Sequence, residues 1–99
     1  MAYAVEITKA AEEDIRDAYL FYTEQNNGLG HAFEIRLQQA VDNIHTFPFK
    51  SQTRFEQTRI IYLKKFPYGV HFRIDKSNST ILIVAVFHTS RDSDLWTTR

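Results

Sequence analysis

Residues 59–88 read RIIYLKKFPYGVHFRIDKSNSTILIVAVFH, and the fold turns on this stretch. The pattern here switches to that of strands in three short runs, Arg59–Lys65, Val70–Asp75 and Thr80–His88, the last of them apolar throughout 81–87. Phe66-Pro67-Tyr68-Gly69 and Lys76-Ser77-Asn78-Ser79 carry turn residues between them. Three consecutive strands joined by short turns make an antiparallel meander. Centring the turns sets a register: Leu63 opposite Phe72, Ile61 opposite Ile74, Ile74 opposite Ile81 and Phe72 opposite Ile83. One face then carries Ile61, Leu63, Val70, Phe72, Ile74, Ile81, Ile83, Ala85 and Phe87 and must be covered. The other carries Tyr62, Lys64, His71, Arg73, Leu82, Val84, Val86 and His88. In this register Tyr62 faces Arg73 and Lys64 faces His71, so the mixed cationic face is where function is expected.

Upstream, the period changes. Tyr3, Val5 and Ile7 alternate as a short first strand, and Thr8 follows as a helix N-cap with Glu12, Glu13 and Asp14 near the positive helix end. Ala11, Ile15, Ala18, Tyr19 and Tyr22 form a stripe of period 3.6, ended by Asn26, Asn27 and Gly28, residues that tolerate a left-handed cap. Phe33, Leu37, Ala40, Val41 and Ile44 repeat the same spacings until Pro48 stops them. The short link predicts an antiparallel helical hairpin, and the segment 49–57 reads as a loop. Leu20, Phe21 and Ile35 lie off the stripes and suit either other packing or a partner surface. The expected fold is α+β: a helical hairpin packed on an antiparallel sheet, in the order β-α-α-β-β-β.

The chain has 99 residues, enough for one domain over 1–99 with one core. Twelve bases balance twelve acids, which argues against binding nucleic acid by bulk charge. The balance is uneven along the chain. Residues 1–45 hold three bases and eight acids, and residues 46–99 hold nine bases and four acids. The absence of cysteine excludes a disulfide scaffold, thiol catalysis and cysteine-ligated zinc, and fits a reducing cytoplasm. The four histidines, His31, His45, His71 and His88, show no metal-ligand spacing, and no cofactor is expected. No signal peptide is visible at MAYAVEITKAAEED, and the apolar run 81–87 is too short to span a bilayer, so no membrane partner is expected.

The element order and four segments resemble the RelE/ParE superfamily of type II toxin–antitoxin toxins. The segments are YAVEITKAAEEDI at 3–15, FP at 47–48, RIIYLKKFPYGVHFRID at 59–75 and ILIVAVFHTSRDSDLW at 81–96. The resemblance covers nearly the whole chain and lies in the order and spacing of the segments together. It implies a small cytoplasmic toxin, of the kind found in plasmid stabilisation systems, held in a hetero-oligomer by a cognate antitoxin. In the RelE branch such toxins cut mRNA on the ribosome as metal-free endoribonucleases. In the ParE branch they poison DNA gyrase.

Metal-free RNA cleavage needs a base for the 2′-hydroxyl, an acid for the leaving oxygen and cations for phosphate. His88 can supply acid–base chemistry, Arg73 and Lys64 can hold phosphate, and Tyr62 can stack on a base or donate a proton. Each also has a structural role open to it: His88 ordering a strand end, Arg73 and Lys64 as solvated strand positions. Arg59, Tyr68, Arg91 and Trp96 are the candidate partner contacts, with Trp96 either closing the core or anchoring a partner. After His88 there is no tyrosine and no further histidine, and the pI is near 6.9 where a ribosomal partner favours a basic protein. The expectation is therefore a ParE-like gyrase binder. The mRNA interferase is the second reading, and a non-toxic, antitoxin-binding remnant is the third.

Overall fold

The computed structural model describes residues 3–90. β1 (Ala4–Ile7) leads into α1 (Lys9–Gln25) and α2 (Asn27–Thr46), followed by β2 (Thr53–Phe55), β3 (Thr58–Tyr62), β4 (Tyr68–Asp75) and β5 (Thr80–His88). The strands form one sheet in the order β1-β5-β4-β3-β2, with the helices packed against it. This is the expected α+β architecture with two differences. β1 lies parallel to β5, Val5 opposite Ile81, so the sheet is mixed rather than wholly antiparallel. β2 falls in the segment whose sequence reads as a loop, and pairs Thr53 with Arg59 and Phe55 with Thr58 at the far edge.

Thr8 caps α1 as its hydroxyl predicts, Oγ1 accepting from the Ala11 amide at 3.1 Å. The link between the helices is tighter than expected. Asn26 is extended (φ −168°) and not left-handed. Its N–H donates to the Tyr22 carbonyl at 3.0 Å, ending α1, while its Oδ1 accepts from the Gly28 amide at 2.8 Å, starting α2. Gly28 thus sits in the first turn of α2 rather than in a cap. Two residues further on the helices come close: a Cβ on Gly30 would lie 2.0 Å from Thr23 Oγ1.

The predicted stripes meet in the core. Ala11, Ala18, Phe33, Leu37, Ala40 and Ile44 pack with Leu63, Val70, Phe72, Ile81 and Ile83. Phe66 joins them, and this changes the β3–β4 register. Arg59 pairs with Phe72 and Tyr62 with Gly69, a shift of four residues from the turn-centred expectation. The connection spans Lys64–Pro67, with Lys65 at φ +68° and the Leu63 amide donating to the Tyr68 carbonyl at 2.9 Å. The longer loop carries the Phe66 ring to Tyr22 (centroids 4.9 Å apart) and Phe33 (5.5 Å), burial that a tight turn would forgo. Because the shift is even, Ile61 and Leu63 still face the helices.

The β4–β5 register begins as expected, with Asp75 opposite Thr80 and Phe72 opposite Ile83. It then slips by one, since His71 pairs with Ala85. Val84 is the extra residue of a β-bulge, and the faces of β5 exchange beyond it. Val86 enters the main core, while Ala85 and Phe87 turn to the opposite face and cluster with Val84. The expected placement of Ala85 and Phe87 on the helix side, and of Val86 and His88 on the open side, is therefore reversed.

Candidate functional site

Tyr62 and Arg73 lie on the same sheet face, as expected, but they do not face each other. Tyr62 pairs with Gly69, and its ring covers that glycine so closely that a Cβ there would stand 3.1 Å from the ring. Arg73 is four residues further along β4, about 13 Å at strand rise. It is half-buried, its Nε donating to Thr58 Oγ1 at 3.1 Å. His71 sits between them, opposite Ile60 rather than Lys64, with 3% of its surface exposed and its ring 5.1 Å from Phe87. Lys64 is exposed in the β3–β4 connection.

His88 is elsewhere. The bulge places it opposite Tyr68, their rings 5.2 Å apart edge to face. Its Nδ1 accepts from the Ser90 amide at 3.0 Å and lies 2.7 Å from Ser90 Oγ. The amide donor leaves the proton of a neutral ring on Nε2. The four nuclease candidates are thus divided: Tyr62 and Arg73 on one face, Lys64 at a hairpin end, and His88 turned toward α1.

Among the candidate partner contacts, Tyr68 is half-buried and packs edge-on against Phe33 at 5.4 Å. The Arg59 guanidinium lies 5.3 Å from the Phe49 ring centroid and donates to the Ser51 carbonyl. Lys76 approaches Phe49 at 5.3 Å as well, and Tyr3 meets it edge-on, so Arg59 is part of a local aromatic–cation cluster. Arg91 and Trp96 lie outside the described residues. Leu20, Phe21 and Ile35 are exposed, as their off-stripe positions suggest.

Two clefts flank the helical layer. The larger, about 320 Å³, lies between α2 and the end of β3. Arg36, Gln39 and Asn43 of α2 line it together with Ile61, Tyr62, Leu63 and Lys64. The smaller, about 180 Å³, lies between α1 and the end of β5, lined by Asp14, Asp17, Phe21, Tyr68, Val86 and His88. There Asp14 Oδ2 accepts from the Val86 amide at 3.1 Å, linking α1 to the strand just past its bulge. Sequence reasoning singled out neither Arg36 nor this role of Asp14. Arg36 carries a signal, as a lone base on the second helix. Asp14 carries none beyond its place near a helix start.

The Asp75 carboxyl and the Tyr22 phenol depart clearly from their ordinary values. Asn78 and Ser77 donate to Asp75 in the β4–β5 turn and hold its carboxyl below the usual range. Burial pushes the Tyr22 phenol up. Among the described residues no three histidines or carboxylates converge to hold a metal, and no helix is long and apolar enough to cross a membrane.

No curated protein matches the sequence closely. Solved structures do resemble the fold. The chromosomal ParDE toxin–antitoxin system of P. aeruginosa superposes with a TM-score of 0.75 at 16% identity, over 90% of this chain and 98% of that one. The isolated E. coli RelE toxin gives 0.69 at 14% identity, over 98% and 95%. The RelBE2 toxin–antitoxin complex of Mycobacterium tuberculosis gives 0.64 at 17% identity, over 89% and 99%. At such identities the likeness concerns the fold alone. The sequence itself decides the family: residues 5–93 match the family described as "ParE toxin of type II toxin-antitoxin system, parDE", and the chain is a member of that toxin family.

Proposed function

We propose that this protein is a cytoplasmic growth inhibitor that acts by binding DNA gyrase, and that a cognate antitoxin neutralises it in a hetero-oligomer. Family membership supports the toxin and antitoxin parts. The placement of His88 supports binding over catalysis. Cleavage of RNA without metal needs an acid–base group beside the phosphate-holding cations. His88 lies across the sheet from Tyr62 and Arg73, engaged by Ser90, and Arg73 is engaged by Thr58.

The experiment has three arms. Expression without antitoxin arrests growth, and tolerance at high level favours the non-toxic remnant. Purified protein blocks supercoiling by gyrase, and no effect at saturation counts against the gyrase target. Primer extension on translating ribosomes shows no new mRNA ends. Cuts that vanish in His88→Ala or Arg73→Ala would establish the interferase reading instead.

A further inference from the structure

Tyr3, the segment 47–50, Arg59 and Lys76 meet at the end of the sheet where β1 and β5 begin. Arg59 and Lys76 each stand 5.3 Å from the Phe49 ring centroid, and Lys50 stands 5.8 Å from that of Phe47. Phe47 is 58% exposed and Phe49 44%, and both lysines are exposed. Among the described residues these three cations contact the rings and, through Arg59, the Ser51 carbonyl, and no carboxylate pairs with them. Asp75, the acid next to Lys76 in the chain, accepts instead from Ser77 Oγ and Asn78 Nδ2. Part of the surplus of bases in residues 46–99 is thus gathered in one place. The rings hold the flexible stems, so less freedom is lost when an anion binds, and a cluster of unbalanced cations draws a polyanion.

We propose that this cluster holds the phosphate backbone of duplex DNA, and that the protein touches the DNA that gyrase carries as well as gyrase itself. The proposal rests on the gyrase reading and adds a second component to the target. Arg59 offers a planar fork to phosphate oxygens, and Lys50 and Lys76 offer point charges. Phe49 is engaged by two cations and by Tyr3, and Phe47 by Lys50, so the contact runs through charge and not through stacked bases. That favours a duplex, whose phosphates face outward, over a single strand. The chain is neutral as a whole, so three such contacts hold a free duplex weakly. Binding to gyrase lifts that limit by setting the cluster at high effective concentration beside the bound DNA.

The test titrates the full chain against gyrase alone and against gyrase loaded with a linear duplex. Affinity is at least about tenfold higher with the DNA present. Lys50→Gln and Lys76→Gln, both at exposed positions, lose most of that margin, and each flattens the slope of log affinity against log salt by about 1. Arg16→Gln, on α1 and outside the cluster, keeps the margin. A parent that binds gyrase equally with and without DNA overturns the DNA contact and leaves the gyrase reading standing. A fall of the same size in the lysine variants without DNA means that an acidic surface of gyrase occupies the cluster, and it too overturns the DNA contact. Absence of binding to gyrase in either form overturns the gyrase reading. The DNA contact is then decided by titrating the free duplex at low salt: salt-sensitive binding that weakens in the lysine variants supports it, and no binding overturns it.

Discussion

The two clefts beside the helices are built on the same plan and finished differently. Each lies where a helix passes the end of a strand that its sheet neighbour does not follow to the end. β1 accompanies β5 only to Ile83, and β2 accompanies β3 only to Arg59. On the β5 side, Asp14 reaches across from α1 and accepts from the Val86 amide. On the β3 side, α2 presents Arg36, Gln39 and Asn43, and no pairing strand reaches the edge among the described residues. The charges differ as well, two aspartates lining the β5 cleft and two cations the β3 cleft. A strand edge met by a carboxylate of its own chain is closed to further strand pairing, whereas one without such a cap is not.

Breaking the closed edge has the largest expected effect. Asp14→Ala leaves the Val86 amide without its acceptor, and unfolding stability should fall by roughly 1–3 kcal/mol, read from denaturant midpoints. Asp14→Asn keeps an acceptor oxygen and should lose less. Equal losses in the two variants would show that the carboxylate acts by its charge and not as an acceptor for Val86.

The hairpin that sets the spacing of both clefts comes next. Gly30→Ala drives a methyl group toward Thr23 and should cost about 1–2 kcal/mol. Thr23 Oγ1 is buried and has no hydrogen-bond partner, so Thr23→Ala should be nearly neutral. In the double variant the 2.0 Å contact is gone and only tighter-than-usual contacts with Cβ of residue 23 (3.1 Å) and the Tyr19 ring (3.3 Å) remain, so most of the cost should disappear and be offset by the better helix propensity of alanine, worth up to about 1 kcal/mol. Thermal midpoints of the four proteins test this coupling. Strict additivity would mean that the two side chains do not interact.

Gly69→Ala probes the rim of the open cleft. The methyl displaces the Tyr62 ring, which should cost on the order of 1 kcal/mol and alter Tyr62 fluorescence. In a Tyr62→Ala background the part due to the ring should vanish and only the contact with Ile60 Cγ2, at 3.0 Å, should remain. Acid gives the smallest effect. The Asp75 carboxyl titrates below its unfolded value, so its contribution is present above about pH 4 and is lost as pH falls through the lower folded value. The carboxyl is fully exposed, so the contribution is small. Stability of Asp75→Asn should change less than the parent's across that acid window, and parallel curves would contradict the assignment.

Much of this fold is visible in residue spacing. Phe33, Leu37, Ala40 and Ile44 recur with a helical period because one face of α2 is buried and the other wet. Asp75 opposite Thr80 follows from a short polar turn that admits few registers. Beyond Ile81 the signal fails. ILIVAVF is apolar on both faces, so a one-residue slip leaves no mark in the pattern, and the bulge at Val84 cannot be read from it. The β3–β4 connection is hidden for another reason: Phe66-Pro67-Tyr68-Gly69 has the composition of a tight turn, and only the burial of Phe66 against Tyr22 and Phe33 lengthens it. The candidate site divides accordingly. Tyr62 and Arg73 share the face that alternation assigns them. His88, beyond the bulge, does not.

The bulge also decides where β5 tolerates a change of chain length. Excision of Val84 would remove the surplus residue, keep His71 opposite Ala85, and leave Val86 under the helices and Phe87 away from them. One residue added after Ala85 and paired in the ladder would instead rotate the later side chains by half a turn, pushing Phe87 under the helices and Val86 out of them. Natural drift can therefore lose a codon at the bulge at far less risk than it can gain one beyond it.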